Sequence, residues 1–193
     1  MSRIDEILSF WFGEPRNDQQ YHDERRKLWF AADPHIDQDI RDRFLEDYEQ
    51  AATQELKEWA MTPRSALARI LLYDQFPRNM FRGTPRAFVT DTLARETTAY
   101  LLHAQEDRQL RPVERLFVYM PLMHSEDLID QRQSVSLFQQ LAQDDPLVDS
   151  VSYALRHQEI IARFGRFPHR NAILSRSSTP EEIEFLQHLG SSF

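Results

Sequence analysis

An all-α single domain of about eight to ten helices is what this sequence predicts, and three observations predict it. Apolar residues recur with a period near 3.6 almost everywhere. Five Asp-Pro or Thr-Pro pairs mark helix starts. Sustained alternation with β-branched enrichment and hairpin turn residues is missing, and glycine occurs only 4 times in 193 residues. A chain of this length, folded as one domain, buries roughly 70% of the surface it exposes when unfolded.

Ile4, Ile7, Leu8 and Trp11 give the first helical face. A polar stretch over 13–24, opened by Gly13-Glu14-Pro15, reads as irregular. Asp33-Pro34 then sets a capping side chain before a proline suited to the first helical turn, and Ile36, Ile40, Phe44 and Tyr48 follow at helical spacing. Thr62-Pro63 repeats the device ahead of Leu67, Ile70 and Leu71. Because Pro77 disfavours helical geometry at Phe76, that helix is expected to stop near Phe76. Thr84-Pro85 opens another. Val113, Leu116, Phe117 and Met120 form a face that Pro121 interrupts, and Ser125 is placed to cap a new helix beginning with Glu126 and Asp127. Asp145-Pro146 precedes Val151, Ala154 and Leu155, Gly165 ends that helix, and 165–178 reads as irregular. Thr179-Pro180 with Glu182 has capping-box spacing and begins the last helix. A tetratricopeptide-like repeat of fixed period is not visible in the sequence.

The absence of cysteine excludes disulfides, thiolate zinc sites and cysteine nucleophiles. Without an HExxH pair no metal ligand is assigned, and without a P-loop, GxSxG or dinucleotide fingerprint no cofactor is identified. A net charge of −8 argues against nucleic acid as a partner. No run approaches the ~18 apolar residues of a membrane span, and the N-terminus lacks the basic start of a signal peptide, so a cytoplasmic location is the default expectation. The charge is uneven: between 156 and 176 stand five arginines and one acid, Glu159.

That basic island contains GRFPHRNAILSR (165–176), and DQFPRNMFRG (74–83) echoes it: Phe-Pro is followed by Arg and Asn in both. Arginine forks beside amides suit an anionic group, which nominates Arg78, Asn79, Arg82, Arg166, Arg170 and Asn171 as ligand-binding residues. A third stretch, YMPLMHSEDLIDQ (119–131), puts His124, Asp127 and Gln131 near one face if its helix is continuous. His124, Glu126, Asp127 and His169 are the candidates for acid/base catalysis, with hydrolysis the reaction class and either histidine the proton carrier. Gln131 joins the ligand-binding set. The expected partner is a small anionic molecule. Two alternatives stand beside it. A non-catalytic scaffold would grip an acidic peptide or partner protein with the same arginines. Purely internal cross-links would pair Arg78 or Arg170 with Asp74, Glu126 or Asp127. His103 and His157 read as surface or boundary residues, and Trp11-Phe12 and Trp29-Phe30 as core anchors.

The segments LLYDQFPRNMFRGTPRAF, YMPLMHSEDLIDQ and GRFPHRNAILSRSSTPEEIEFL, with WFG near the start, resemble the uncharacterised bacterial family catalogued as domain of unknown function 924. The likeness runs from Ile4 to Leu186. It implies an all-helical fold similar to the tetratricopeptide-like superfamily and brings no established activity. Where that family usually reads Leu-Gly-Arg, this chain has Leu174-Ser175-Arg176, which suggests a position needing smallness more than a glycine backbone.

Overall fold

Side-chain caps start most of the helices in the computed structural model, which describes residues 2–16, 18–56, 59 and 62–191. Ser2, Asp18, Asp33, Thr62, Asp127 and Thr179 each accept an otherwise orphaned backbone N–H. They open α1 (Arg3–Phe12), α2 (Gln19–Phe30), α3 (Pro34–Ala52), α4 (Pro63–Ile70), α8 (Leu128–Asp144) and α10 (Pro180–Leu186). Between these lie α5 (Phe76–Met80), α6 (Asp91–Ala104), α7 (Pro112–Met123) and α9 (Val151–Phe164), and no strand occurs among the described residues. The chain is all-α, as its periodicity predicts. At Thr179 and Glu182 both halves of the capping box are made.

Six local expectations fail, each for a physical reason. Residues 19–24 are helical, because Asp18 caps α2 and the polar residues of 13–24 supply its solvent face while Tyr21 and Trp29 are buried. Thr84-Pro85 and Asp145-Pro146 start single 3₁₀ turns, Pro85–Phe88 and Pro146–Val148, that link longer helices. Asp127 and not Ser125 caps α8, so Glu126 lies outside it. Pro77 does not stop the helix. A π turn, Leu71–Gln75, carries α4 directly into α5. Finally, Ser175 has φ 55°, in the left-handed region that favours glycine, so this position does ask for a glycine-like backbone.

One large apolar core gathers α1 to α8 around Trp11, Phe44, Phe76 and Phe117. A second, smaller cluster joins Ile160 and Ile161 of α9 to Phe167 and to Phe185 of α10. Consecutive helices α7, α8 and α9 pack on one another, and α4 packs on α6 and α7. The segment 165–178 lies beside the second cluster through Phe167, and the cavity described next opens where its neighbour Arg170 meets Met120 and Met123 of the large core.

Candidate functional site: a basic cavity with a His–Asp pair

The continuation of the helix through Pro77 creates the site. Proline has no N–H to offer the Tyr73 carbonyl four residues back, and the Thr90 hydroxyl donates to that carbonyl instead, at 2.7 Å. The Phe76 N–H reaches Leu71 O, one residue further than in an α-helix. Within the widened turn the Asp74 side chain is 0% exposed. π turns of this kind are frequent at functional sites.

Asp74 meets the end of α7. His124 is the C-cap of that helix, and its Nδ1 lies 2.8 and 2.9 Å from the two Asp74 carboxylate oxygens. Gln75 Nε2 donates to Asp74 at 2.6 Å, and Arg78 Nη1 stands 3.0 Å from the same carboxylate. Arg78 also forms a fork on Asp91, at 2.9 and 3.1 Å. Arg170 arrives from the other side in the turn Pro168–Arg170, its Nη1 3.6 Å from Asp91. Its guanidinium carbon sits 4.7 Å from the ring centres of both Phe88 and Phe167.

Gln75, Arg78, Phe88, His124 and Arg170 border a cavity of about 770 Å³, within the usual range for a small-molecule site. Five arginines line it (26, 78, 82, 156 and 170) with His124, His157 and His169, and no carboxylate appears on its described wall. The acids that neutralise these arginines, Asp74, Asp91, Asp37 and Glu159, do not line it. Apolar surface from Met120, Met123, Phe88 and Ile173 completes the interior, while Phe30 and Tyr153, 51% and 52% exposed, stand at the rim. A shallower depression of about 630 Å³ lies beyond His124, Phe88 and Arg170, which border both spaces.

Burial dominates the electrostatics. It would push the Asp74 carboxyl up, but the Arg78 charge, followed by His124 and the hydrogen bonds from His124 and Gln75, holds it well below the usual carboxylate range. Burial pushes His124 below the ordinary histidine value, with Arg78 and Arg170 adding to the shift and Asp74 opposing it. His157 is pushed down to about 3 by burial and then by His124, and His169 to about 4 by burial and then by Arg170. Arg170 itself is lowered to about 10 by burial and by Arg78. A neutral His124 facing an ionised Asp74 donates from Nδ1, which leaves the lone pair on Nε2.

The three sequence motifs therefore meet, but not all their residues do. Arg78, Asn79, Arg82, His124, His169 and Arg170 line the cavity. Asn79 and Arg82 also bind Asp37, at 2.8 and 2.7 Å, and so fasten α5 and the turn after it to α3. Glu126 and Asp127 border the shallow depression instead. Glu126 accepts the Phe167 N–H and a fork from Arg176, so burial, which would raise its carboxyl, loses to Arg176 and the ionised form is favoured. Asp127 caps α8, and Gln131 is fully buried with its amide donating to the carbonyls of Met123 and Ser125 at 2.7 Å each. The helix is broken between His124 and Asp127, so these residues do not share a face with His124. Arg166 forks onto Glu182, and Asn171 donates to Ser178 and Glu182, which ties 165–178 to α10.

Sequence reading missed Gln75, Asp91, Phe88 and His157 as members of the site. In sequence Asp74 stands out only as a cross-link to Arg78 or Arg170; it pairs with Arg78, at the helical i,i+4 spacing. Asp91 carries no local signal, since its place at the start of α6 is an ordinary one for an acid. His157 is buried, 6.3 Å from His124 between ring centres, instead of lying at the surface.

The chain is similar to a solved structure from Agrobacterium tumefaciens, the protein of unknown function ATU0120, at 37% identity and a TM-score of 0.83, with 95% of this chain and 96% of that one covered. Comparison with curated proteins finds no match. The bacterial family whose segments the sequence resembles matches residues 7–190, and the chain belongs to it: the family described as "Bacterial protein of unknown function (DUF924)".

Proposed function

We propose that the protein binds a small anionic molecule in the basic cavity and carries out acid/base chemistry on it through His124. One observation carries the reading: in a chain of net charge −8, five arginines and three histidines line one cavity whose described wall has no carboxylate. Low local dielectric strengthens the attraction of such a wall for an anion. Asp74 fixes the His124 tautomer and orientation, and Nε2 then accepts a proton from water or a substrate hydroxyl. Hydrolysis of an anionic ester or amide is the reaction class this arrangement fits, with His124 as base and Arg170 and Arg78 stabilising negative charge.

The packing of α7, α8 and α9 as successive helical neighbours supports an affinity with the tetratricopeptide-like superfamily. A peptide carboxylate would meet the same arginines. The pairing of His124 with buried Asp74 favours small-molecule chemistry over peptide docking, which has no use for a tautomer-fixed base.

The test is a panel of anionic esters and amides assayed for hydrolysis, with ligand-induced thermal stabilisation measured alongside. Wild-type protein is expected to be stabilised by members of the panel and to turn over at least one. His124→Gln should keep the stabilisation while lowering kcat by about 10² or more. Turnover unchanged in His124→Gln removes the base assignment, and stabilisation by acidic peptides alone moves the reading to the scaffold alternative.

A further inference from the structure

The arginines of the cavity differ in how much of each guanidinium is already committed. Arg78 is held by Asp91 and Asp74, Arg82 by a fork on Asp37, and Arg156 by Glu159 at 3.3 Å, while Arg26 lies over the Phe30 ring. Arg170 is different. It is only 7% exposed, its Nη1 has one ion-pair contact at 3.6 Å, beyond hydrogen-bond distance, and its buried Nε has no hydrogen-bond partner among the described residues. Such a donor is costly to leave unmade. Because Nη1 faces Asp91, the opposite edge, Nε with Nη2, is the one left open. Two parallel N–H groups on that edge match the two oxygens of a planar carboxylate.

The flanking rings fix the plane. Phe88 and Phe167 stand 4.7 Å from the guanidinium carbon. Contact with two rings restrains the guanidinium, so its open edge keeps one direction in the cavity. Around it the cavity is apolar, with Met120, Met123 and Ile173, and methionine adapts to varied apolar shapes. Polyphosphates need several uncommitted cations, and of the two lining arginines without a hydrogen-bonded acid among the described residues, Arg170 is buried while Arg26 is exposed over the Phe30 ring. We propose that the ligand is a monocarboxylate with an apolar or aromatic body, its carboxylate seated on the Nε–Nη2 edge of Arg170 and its body against Met120 and Met123. This rests on the anion-binding reading above and narrows its ligand class.

The test uses the full chain with phenylacetate and octanoate, against acetate, inorganic phosphate, pyrophosphate and phenylacetamide, followed by thermal shift and titration calorimetry. Phenylacetate or octanoate is expected to raise Tm and to bind at least tenfold more tightly than acetate, the phosphates and the amide. Arg170→Lys, which keeps the charge and removes the fork, is expected to weaken that binding tenfold or more while acetate stays weak. The wild-type series decides the matter even where a variant at this buried position does not fold. Equal binding of phenylacetamide overturns the carboxylate seat. Tighter binding of phosphate or pyrophosphate overturns it too, while leaving the basic cavity as an anion site. Stabilisation by none of the anions overturns both readings.

Discussion

Thr90 makes one side-chain hydrogen bond that a backbone defect depends on. Its hydroxyl, buried, donates to the Tyr73 carbonyl that Pro77 leaves without a helical donor. Thr90→Val keeps the shape and removes the donor, and is expected to destabilise by about 1–3 kcal/mol in urea unfolding. Thr90→Ser should recover most of that. The site arginines divide in the same way, by partners and not by residue type. Arg166 forks onto Glu182, whose carboxyl is held at about 2 first by that fork, against burial, and further by the Thr179 N–H. Glu182→Gln breaks the fork and weakens the tie of 165–178 to α10. It should lower stability by about 1–2 kcal/mol, measured by chemical denaturation, and leave affinity for a cavity ligand within twofold. A large loss of affinity would instead place Arg166 in the binding site. In sequence Arg166 and Arg170 are alike, four positions apart in one basic island; only their neighbours tell them apart.

Helix ends decide where the site's side chains stand. The widened turn between α4 and α5 aims Asp74 at His124, and the break between α7 and α8 places His124 at a helix terminus where its ring is not packed along a helical face. A proline reads in sequence as a stop, yet here the hydroxyl of Thr90, 17 positions from the Tyr73 carbonyl it reaches, removes the reason to stop. The opposite case is Leu174-Ser175-Arg176. Ser175 adopts φ 55°, a conformation that costs a side-chain-bearing residue about 1–2 kcal/mol. Ser175→Gly is expected to raise stability by roughly 0.5–1 kcal/mol once the greater freedom of glycine in the unfolded chain is deducted. Thermal unfolding checks it, and a fall in Tm would mean that the serine side chain makes a contact worth more than the strain. Gly13 gives a converse expectation at the end of α1. Its φ of 64° and ψ of −155° are strained for any residue with a Cβ, and the flexible Arg25 guanidinium would have to move aside, so Gly13→Ala should destabilise by about 1–3 kcal/mol in the same assay.

At the scale of the whole molecule, three cavity histidines, His157 buried and His124 and His169 half-buried, make the fold acid-sensitive. His124, His157 and His169 have lowered values, the last two about 3 and about 4, against 6.5 when unfolded. The unfolded chain therefore binds more protons as pH falls from 6.5 toward 4, and stability falls through that window by up to ~1.4 kcal/mol per pH unit for each histidine. Above 6.5 the contribution is complete. Carboxylates held low, Asp74 and Glu182 among them, lose theirs in a separate range, as pH falls through about 2. Unfolding monitored between pH 4 and 8 should show the loss, and His157→Gln should flatten it; a profile flat down to pH 4.5 would mean the histidines titrate normally. The sequence by itself determined the all-α class, the main helix starts and the three motifs that supply the cavity, because periodicity, capping pairs and Phe-Pro turns are short-range physics written within a few residues. It also held Asp74 in view, four residues from Arg78. Only the tertiary structure decided that Pro77 would not end its helix, that Glu126, Asp127 and Gln131 brace the turns instead of facing His124, and that Asp91 and His157 belong to the site. Those outcomes depend on which polar groups from distant helices share one buried space, and desolvation and pairing there have no signature at fixed sequence spacing.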